Sequence, residues 1–197
     1  MIYRVNEIFY SLQGEGRHTG RAAVFVRFSG CNLRCPFCDT NHAAYKPMTI
    51  ADIVSAVSPW SECGFAVLTG GEPSLQVDDA LVEELHRAGF RVAVETNGTH
   101  ALPGSVDWVT WSPKEQFSSH VPPLALSKID EVKVVFDGEH NPERYSSLAA
   151  GSYLCLQPCD TGDAGRNREI TRLCVDYILR HPHWHLSLQT HKMIHIQ

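Results

Sequence analysis

Cys31-Asn32-Leu33-Arg34-Cys35-Pro36-Phe37-Cys38 carries three cysteines in eight residues, spaced CxxxCxxC. Thiolates that close can serve one metal centre. A closed structural zinc site takes four protein ligands. An iron–sulfur cube also has four corners, normally one cysteine on each. Three cysteines leave one corner open, and an open iron can bind and activate a small molecule. The same three could instead join Asp39, His42 or a distant cysteine around zinc. Cys63, Cys155, Cys159 and Cys174 could form two further groups. Context along the rest of the chain has to decide.

The 197 residues are enough for one sizeable core and short for two, so 1–197 reads as a single domain. A hydrophobic fraction of 43% with 20% charged residues is globular rather than disordered. The net charge of −5, with no run of Lys or Arg, argues against a nucleic-acid surface. It leaves room for small anionic ligands, which need only one or two local cations. Seven cysteines is an odd count, unlike a secreted disulfide framework. Residues 1–20 carry charges and no long apolar run, so no signal peptide is expected. No stretch approaches the roughly 18 consecutive apolar residues of a membrane span. The expected compartment is reducing: the cytoplasm.

Working outward from the cysteines, residues 22–28 (Ala-Ala-Val-Phe-Val-Arg-Phe) read as a strand covered on both faces. Arg27 interrupts it and needs a partner, either a structural ion pair or a bound anion. The cysteine loop follows at the strand's C-terminal end, where parallel α/β scaffolds place their sites. Residues 2–9 read as a short strand leading into a loop whose Gly14 and Gly16 allow a tight turn or close approach. Thr49 suits the N-cap of a helix to about residue 58, with Ile50, Ile53, Val54 and Val57 on one face. Residues 65–69 form a second buried strand ending in Gly70-Gly71-Glu72-Pro73, with a helix over 77–88. Strands are expected at 91–95, 107–111, 131–136, 152–157 and 185–189, and a helix at 167–179. No helix is evident after Ser112-Pro113-Lys114. The pattern βαβαβ, then strands with fewer helices, then βαβ, is an α/β fold with a parallel sheet and right-handed crossovers. Too few units exist for a full eight-fold barrel. The expectation is an incomplete (β/α) barrel with some helices missing.

The run Phe9-Tyr10-Ser11-Leu12-Gln13-Gly14-Glu15-Gly16, the Arg27 strand, Cys31/Cys35/Cys38 with Asp39-Thr40, and Gly70-Gly71-Glu72-Pro73 form an ordered series. Glu95-Thr96-Asn97-Gly98, Ser112-Pro113-Lys114, Gln157-Pro158 and Leu188-Gln189-Thr190-His191-Lys192 continue it across nearly the whole chain. In that combination the sequence resembles the 7-carboxy-7-deazaguanine synthases, radical S-adenosylmethionine (SAM) enzymes of queuosine and 7-deazapurine biosynthesis. The resemblance implies a lyase that converts 6-carboxy-5,6,7,8-tetrahydropterin to 7-carboxy-7-deazaguanine with loss of ammonia. It implies one [4Fe-4S] cluster on Cys31, Cys35 and Cys38. One electron from the cluster cleaves SAM to a 5′-deoxyadenosyl radical, which takes hydrogen from C6 before the ring contracts. The hydrogen returns at the end, so SAM is a recycled cofactor. The family also uses Mg²⁺; Thr40 matches its protein ligand, with Asp39 as the fallback, and a hard cation of this kind prefers oxygen.

Residue by residue, Leu12, Gln13 and Gly14 match the pterin-binding segment, Arg27 a carboxylate clamp and Thr69 a substrate contact. Glu15 suits the pterin amino and ring N–H groups, His191 the substrate carboxylate, and Gln197 the family's last pocket residue. Were that Gln197 contact made by the main-chain carboxylate, a tag extending the chain would impair activity. Phe37, Cys38, Asp39, Gly71, Ser112, Pro113, Lys114, Gln157, Pro158, Cys159 and Asp160 match SAM-contacting positions. Cys63, Cys155 and Cys174 read as buried small apolar side chains. A flavodoxin-like electron donor and a homodimer are implied; nucleic acid and membrane are not. Two rivals remain beside this reading. One is an activase that places a glycyl radical on a partner protein, and the other a non-enzymatic zinc or iron–sulfur module.

Overall fold

A computed structural model describes residues 1–38, 40, 44–118 and 120–197. In chain order the elements are β1 (Tyr3–Leu12), β2 (Ala22–Phe28), β3 (Lys46–Met48), α1 (Ile50–Val57), β4 (Phe65–Gly70), α2 (Asp79–Arg87) and β5 (Arg91–Thr96). Then come β6 (Trp108–Trp111), β7 (Glu131–Phe136), α3 (Glu143–Leu148), β8 (Tyr153–Pro158), α4 (Ala164–Arg180), β9 (His185–Leu186) and α5 (Thr190–Met193). Among the described residues the strands form one sheet in the order β3-β1-β2-β4-β5-β6-β7-β8-β9. From β2 to β9 every pairing is parallel. The sheet has two open ends, so the barrel is incomplete, as expected.

β1 departs from an all-parallel sheet: it runs antiparallel to both β2 and β3. Residues 13–21 are too few for a parallel crossover, which needs a dozen or more. Instead, Gln13 N–H donates to Arg21 O at 2.8 Å and Gly20 N–H to Gln13 O at 2.7 Å. The short β3 was not foreseen. The strand expected over 185–189 stops at Leu186, because the chain then turns into α5. The helix expected over 77–88 starts later, since Asp78 caps it by accepting from Leu81 N–H at 3.0 Å. Thr49 caps α1 in a reciprocal box with Asp52, as its position suggested.

Strand side chains alternate between two faces, and here the alternation separates core from chemistry. Val24, Val26, Leu68, Val92, Val94 and Val109 pack outward with Ile53, Leu81 and Leu85 of α1 and α2. Val132, Val134, Phe136 and Leu156 pack outward against α3 and α4, through Tyr145, Ile170 and Cys174. Burying each such side chain contributes roughly 1.5–3 kcal/mol. The inward residues early in the strands (Ala23, Phe25, Phe65, Val67 and Ala93) form a small apolar plug. Later inward positions are polar: Arg27, Thr69, Glu95, Lys133 and Gln157. The loop after β1 crosses this concave side. His18 sets its ring edge-on to Phe65 and Trp108, and Gly16 N–H donates to Ser187 Oγ at 2.9 Å.

None of the seven cysteines is in a disulfide. Cys155 and Cys174 are buried as expected; Cys63 is only half-buried and donates to Phe65 O. Among the described residues no helix is long and apolar enough to cross a membrane.

Candidate active site

Cys31, Cys35 and Cys38 line one cavity at the C-terminal ends of the strands, together with Gly70, Gly71 and Glu72. The loop that carries them is tied to the Gly70-Gly71-Glu72-Pro73 turn. Gly71 N–H donates to Phe28 O and Glu72 N–H to Gly30 O, both at 2.9 Å. Asn32 exchanges further bonds with Asn97 and Thr99. Gly70 has φ +116°, and a Cβ there would lie 2.3 Å from Phe28 O. Only glycine allows that approach. Glu72, almost fully buried, accepts from Ser74 N–H, Ser74 Oγ, Thr96 Oγ and Asn97 N–H. It locks the ends of β4 and β5 together beneath the cavity.

Burial pushes the Cys31 and Cys35 thiols up, and the neighbouring cysteines add to it; Lys114 works the other way on Cys35. The Cys31 and Cys35 thiols therefore need a metal to become thiolates together. Among the described residues, no three His, Cys, Asp or Glu side chains converge on a point that a single ion could fill. A cube offers each thiolate a different iron and needs only three protein ligands when a small molecule takes the fourth corner. The donor set fits an iron–sulfur cluster with one open corner. Asp39 and His42, the local candidates for a fourth zinc ligand, lie outside the described residues.

A second, more polar cavity adjoins the first. Leu12, Gln13, Gly14, Arg27, His191 and Gln197 line it, and Glu15, Thr40, Thr69, Glu95 and Gln189 line both. Arg27 lines the cavity and donates through Nε to Glu7 at 2.7 Å, a bond that uses one of its five donors. Gln13 is buried; it donates to Glu95 at 2.9 Å and accepts from Glu15 N–H at 3.1 Å. Lys133 lies between two carboxylates, 2.6 Å from Glu15 and 2.9 Å from Glu95. Burial alone would raise the Glu15 carboxyl. The Lys133 ammonium and the Gln189 amide outweigh it and hold that carboxyl down at about 2. Burial likewise opposes the Lys133 charge, and the two carboxylates reverse it upward. The site thus holds the Glu15 carboxylate and the Lys133 ammonium as a buried ion pair, with Glu95 on the other side of the same ammonium.

Residues 189–191 close the floor. Thr190 donates to Gly14 O through N–H and Oγ, at 3.0 and 2.8 Å. A Cβ on Gly14 would meet His191 Nδ1 at 2.2 Å, so this glycine exists for close approach.

Of the SAM-contacting positions expected from sequence, Phe37, Cys38, Gly71, Ser112, Lys114, Gln157, Pro158, Cys159 and Asp160 line the first cavity. Pro113 is buried and lines neither cavity. Asp39 falls outside the described residues. Every expected substrate position (Leu12, Gln13, Gly14, Glu15, Arg27, Thr69, His191, Gln197) lines the second. Glu72, Glu95, Gln189 and Lys192 stand in the quoted motifs without an assigned role, and Lys133 lies outside them, yet all five line the first cavity. The signal for Lys133 was a charge between valines in a strand otherwise buried, the same anomaly that marked Arg27. Lys192 donates to Asp160 at 2.8 Å; with Gly162 N–H and Asn167 it holds that carboxyl at about 2.

Residues 25–107 match the sequence profile of the Radical SAM superfamily. Over the full length of both chains, the sequence is 51% identical to the 7-carboxy-7-deazaguanine synthase of Bacteroides thetaiotaomicron. It is 44% identical to that of Nitratidesulfovibrio vulgaris, again over both full lengths. Among solved structures, the crystal structure of QueE from Escherichia coli superposes with a TM-score of 0.79 at 28% identity. The match covers 95% of this chain and 94% of that one.

Proposed function

This chain belongs to the 7-carboxy-7-deazaguanine synthase family of the radical SAM superfamily, and from that membership we propose how its two joined cavities divide the reaction. It is a lyase of queuosine biosynthesis, forming 7-carboxy-7-deazaguanine from 6-carboxy-5,6,7,8-tetrahydropterin. The observation that carries the division is the shared wall. Glu15, Thr40, Thr69 and Glu95 face both the thiol-lined cavity and the polar one. A substrate in the second cavity therefore meets whatever is bound in the first.

Cys31, Cys35 and Cys38 would hold the cluster, and the open corner would take SAM. When bound, these supply the adenosyl radical chemistry that starts the ring contraction. Gly71, Ser112, Lys114 and residues 157–160 form the remaining walls of that cavity, with Phe37 packed edge-on to Phe117 at its rim. On the substrate side, Arg27 grips the carboxylate in competition with Glu7. Gln13, Glu15 and Glu95 present acceptors to the amino and N–H edge of the pterin. His191 covers the carboxylate end. Thr40, facing both cavities, would offer its hydroxyl to Mg²⁺. The reading extends to one domain over 1–197, a homodimer, a flavodoxin-like electron donor and a cytoplasmic location, each supported by the family alone.

The test is an anaerobic reaction of iron-reconstituted protein with reductant, SAM, Mg²⁺ and the carboxytetrahydropterin, followed by mass spectrometry. Deazaguanine product in excess of SAM consumed, absent with Cys35→Ala, is expected. SAM cleavage without pterin conversion would transfer the chain to the activase reading. A colourless zinc protein would end both.

A further inference from the structure

Lys133 is 4% exposed, sits inward on β7, and is the nearest cation to two carboxylates from elsewhere in the chain. Glu15 comes from the loop after β1 and Glu95 from the end of β5. Each carboxylate spends one oxygen on Lys133. The other accepts one amide N–H, from Gln189 onto Glu15 and from Gln13 onto Glu95. A carboxylate has about four acceptor sites. Each therefore keeps lone pairs for a ligand, and both line the wall common to the two cavities.

We propose that Lys133 is a positioning residue: its ammonium bridges Glu15 and Glu95 and sets them side by side, as a paired acceptor for the amino and N–H edge of the pterin. This rests on the pterin reading above. Without a buried cation, two carboxylates this close would not both stay charged; one would take a proton. A protonated carboxyl donates through one oxygen, and that oxygen would clash with an amino or N–H group. The other charges facing the pair do not replace Lys133. Glu131, two residues earlier on β7, adds negative charge. Lys114, on the loop after β6, acts on Glu15 and Lys133 only at longer range, and His191 only weakly favours the Glu15 anion.

Lys133→Met removes the charge and keeps the stem. Binding of pterin-6-carboxylate to the cluster-loaded protein is measured by calorimetry from pH 5 to 9, beside the steady-state constants. The expected loss is about 10- to 100-fold in affinity and KM, with kcat changing less. It deepens toward acid pH, because burial now drives the Glu15 carboxyl upward and protonation removes the acceptor. Lys133→Arg, which keeps the charge, restores binding and flattens the profile. Infrared spectra of Lys133→Met should gain a protonated-carboxyl band that disappears on adding Glu15→Gln. Wild-type affinity in Lys133→Met, or a weakened affinity that is flat with pH and brings no such band, overturns the proposal. Wild-type protein that binds neither pterin-6-carboxylate nor the 6-carboxy-5,6,7,8-tetrahydropterin overturns the substrate reading instead, and the infrared band still decides the role of Lys133. Should Lys133→Met not fold, Lys133→Met/Glu95→Gln carries one orphaned charge fewer and reads the Glu15 carboxyl in the same way.

Discussion

Replacing Arg27 with Met separates recognition of the substrate carboxylate from everything else in the cavity. Arg27 lies inward on β2, its Nε tied to Glu7 at 2.7 Å and its side chain 26% exposed. The Glu7 side chain is 37% exposed. Without Arg27 it still accepts from Gln197 Nε2 at 2.7 Å and is open to water, so the lost surface ion pair costs at most about 1 kcal/mol of stability. The fold should survive with a small change in melting temperature. Binding is a different matter. Charge-assisted hydrogen bonds from a guanidinium contribute about 1.5–3 kcal/mol. At 1.4 kcal/mol per tenfold, kcat/KM for the carboxytetrahydropterin should fall about 10- to 150-fold. The assay compares wild type and Arg27→Met on that substrate and on its neutral 6-carboxamide analogue. Arg27→Met should discriminate between them far less than wild type does. Equal losses on both compounds, or a kcat/KM within about threefold of wild type, would refute the clamp and leave Arg27 as the partner of Glu7 only.

Cys35→Ala should purify with depleted iron and give no SAM cleavage; iron analysis and the optical spectrum read the first, mass spectrometry the second. Gly70→Ala forces a Cβ onto the Phe28 backbone at a positive φ. It should cost about 3 kcal/mol or more in urea unfolding, and a loss below about 0.5 kcal/mol would contradict the packing. Glu72→Ala strips two buried and two half-buried donors of their shared acceptor, and a comparable loss of about 2–4 kcal/mol is expected. Stability on the acid side should reveal His18. Burial between Phe65 and Trp108, with Arg21 and other arginines nearby, lowers its pKa below 6.5. The unfolded chain then binds the proton more readily. That contribution is complete above pH 6.5 and is lost as pH falls through the lowered value. His18→Phe should flatten this part of the melting curve against pH; an unchanged slope would show that His18 is not the group.

Much of the site was readable because its residue types are exceptional where they stand. Three cysteines in eight residues, a double glycine after an apolar strand, and an arginine inside one are each costly or reactive without a purpose. The parallel strands were readable from apolar runs, and α1 from its cap and one-sided face. What escaped depended on register or brevity. Lys133 meets Glu95 across β6, and Glu15 across most of the chain; no local pattern encodes either pairing. β3 and α5 are shorter than the window in which periodicity shows, and α3, six residues long, is held mainly by burying Tyr145. The reversal at β1 turned on the length of its following loop, a feature that apolar patterning does not weigh.

The floor that joins residues 11–16 to residues 187–197 has a consequence for the order of events during synthesis. Ser11 bonds Gln197, Gly14 receives Thr190, Glu15 receives Gln189, and Gly16 bonds Ser187. The first halves of these pairs leave the ribosome early and wait for almost the entire chain. The thiol wall and the Gly70-Gly71 turn need no residue beyond β5 for their backbone ties. A nascent chain can thus shape the cluster's seat well before it has a place for a substrate. The substrate cavity, by contrast, closes only when residues 187–197 reach residues 11–16.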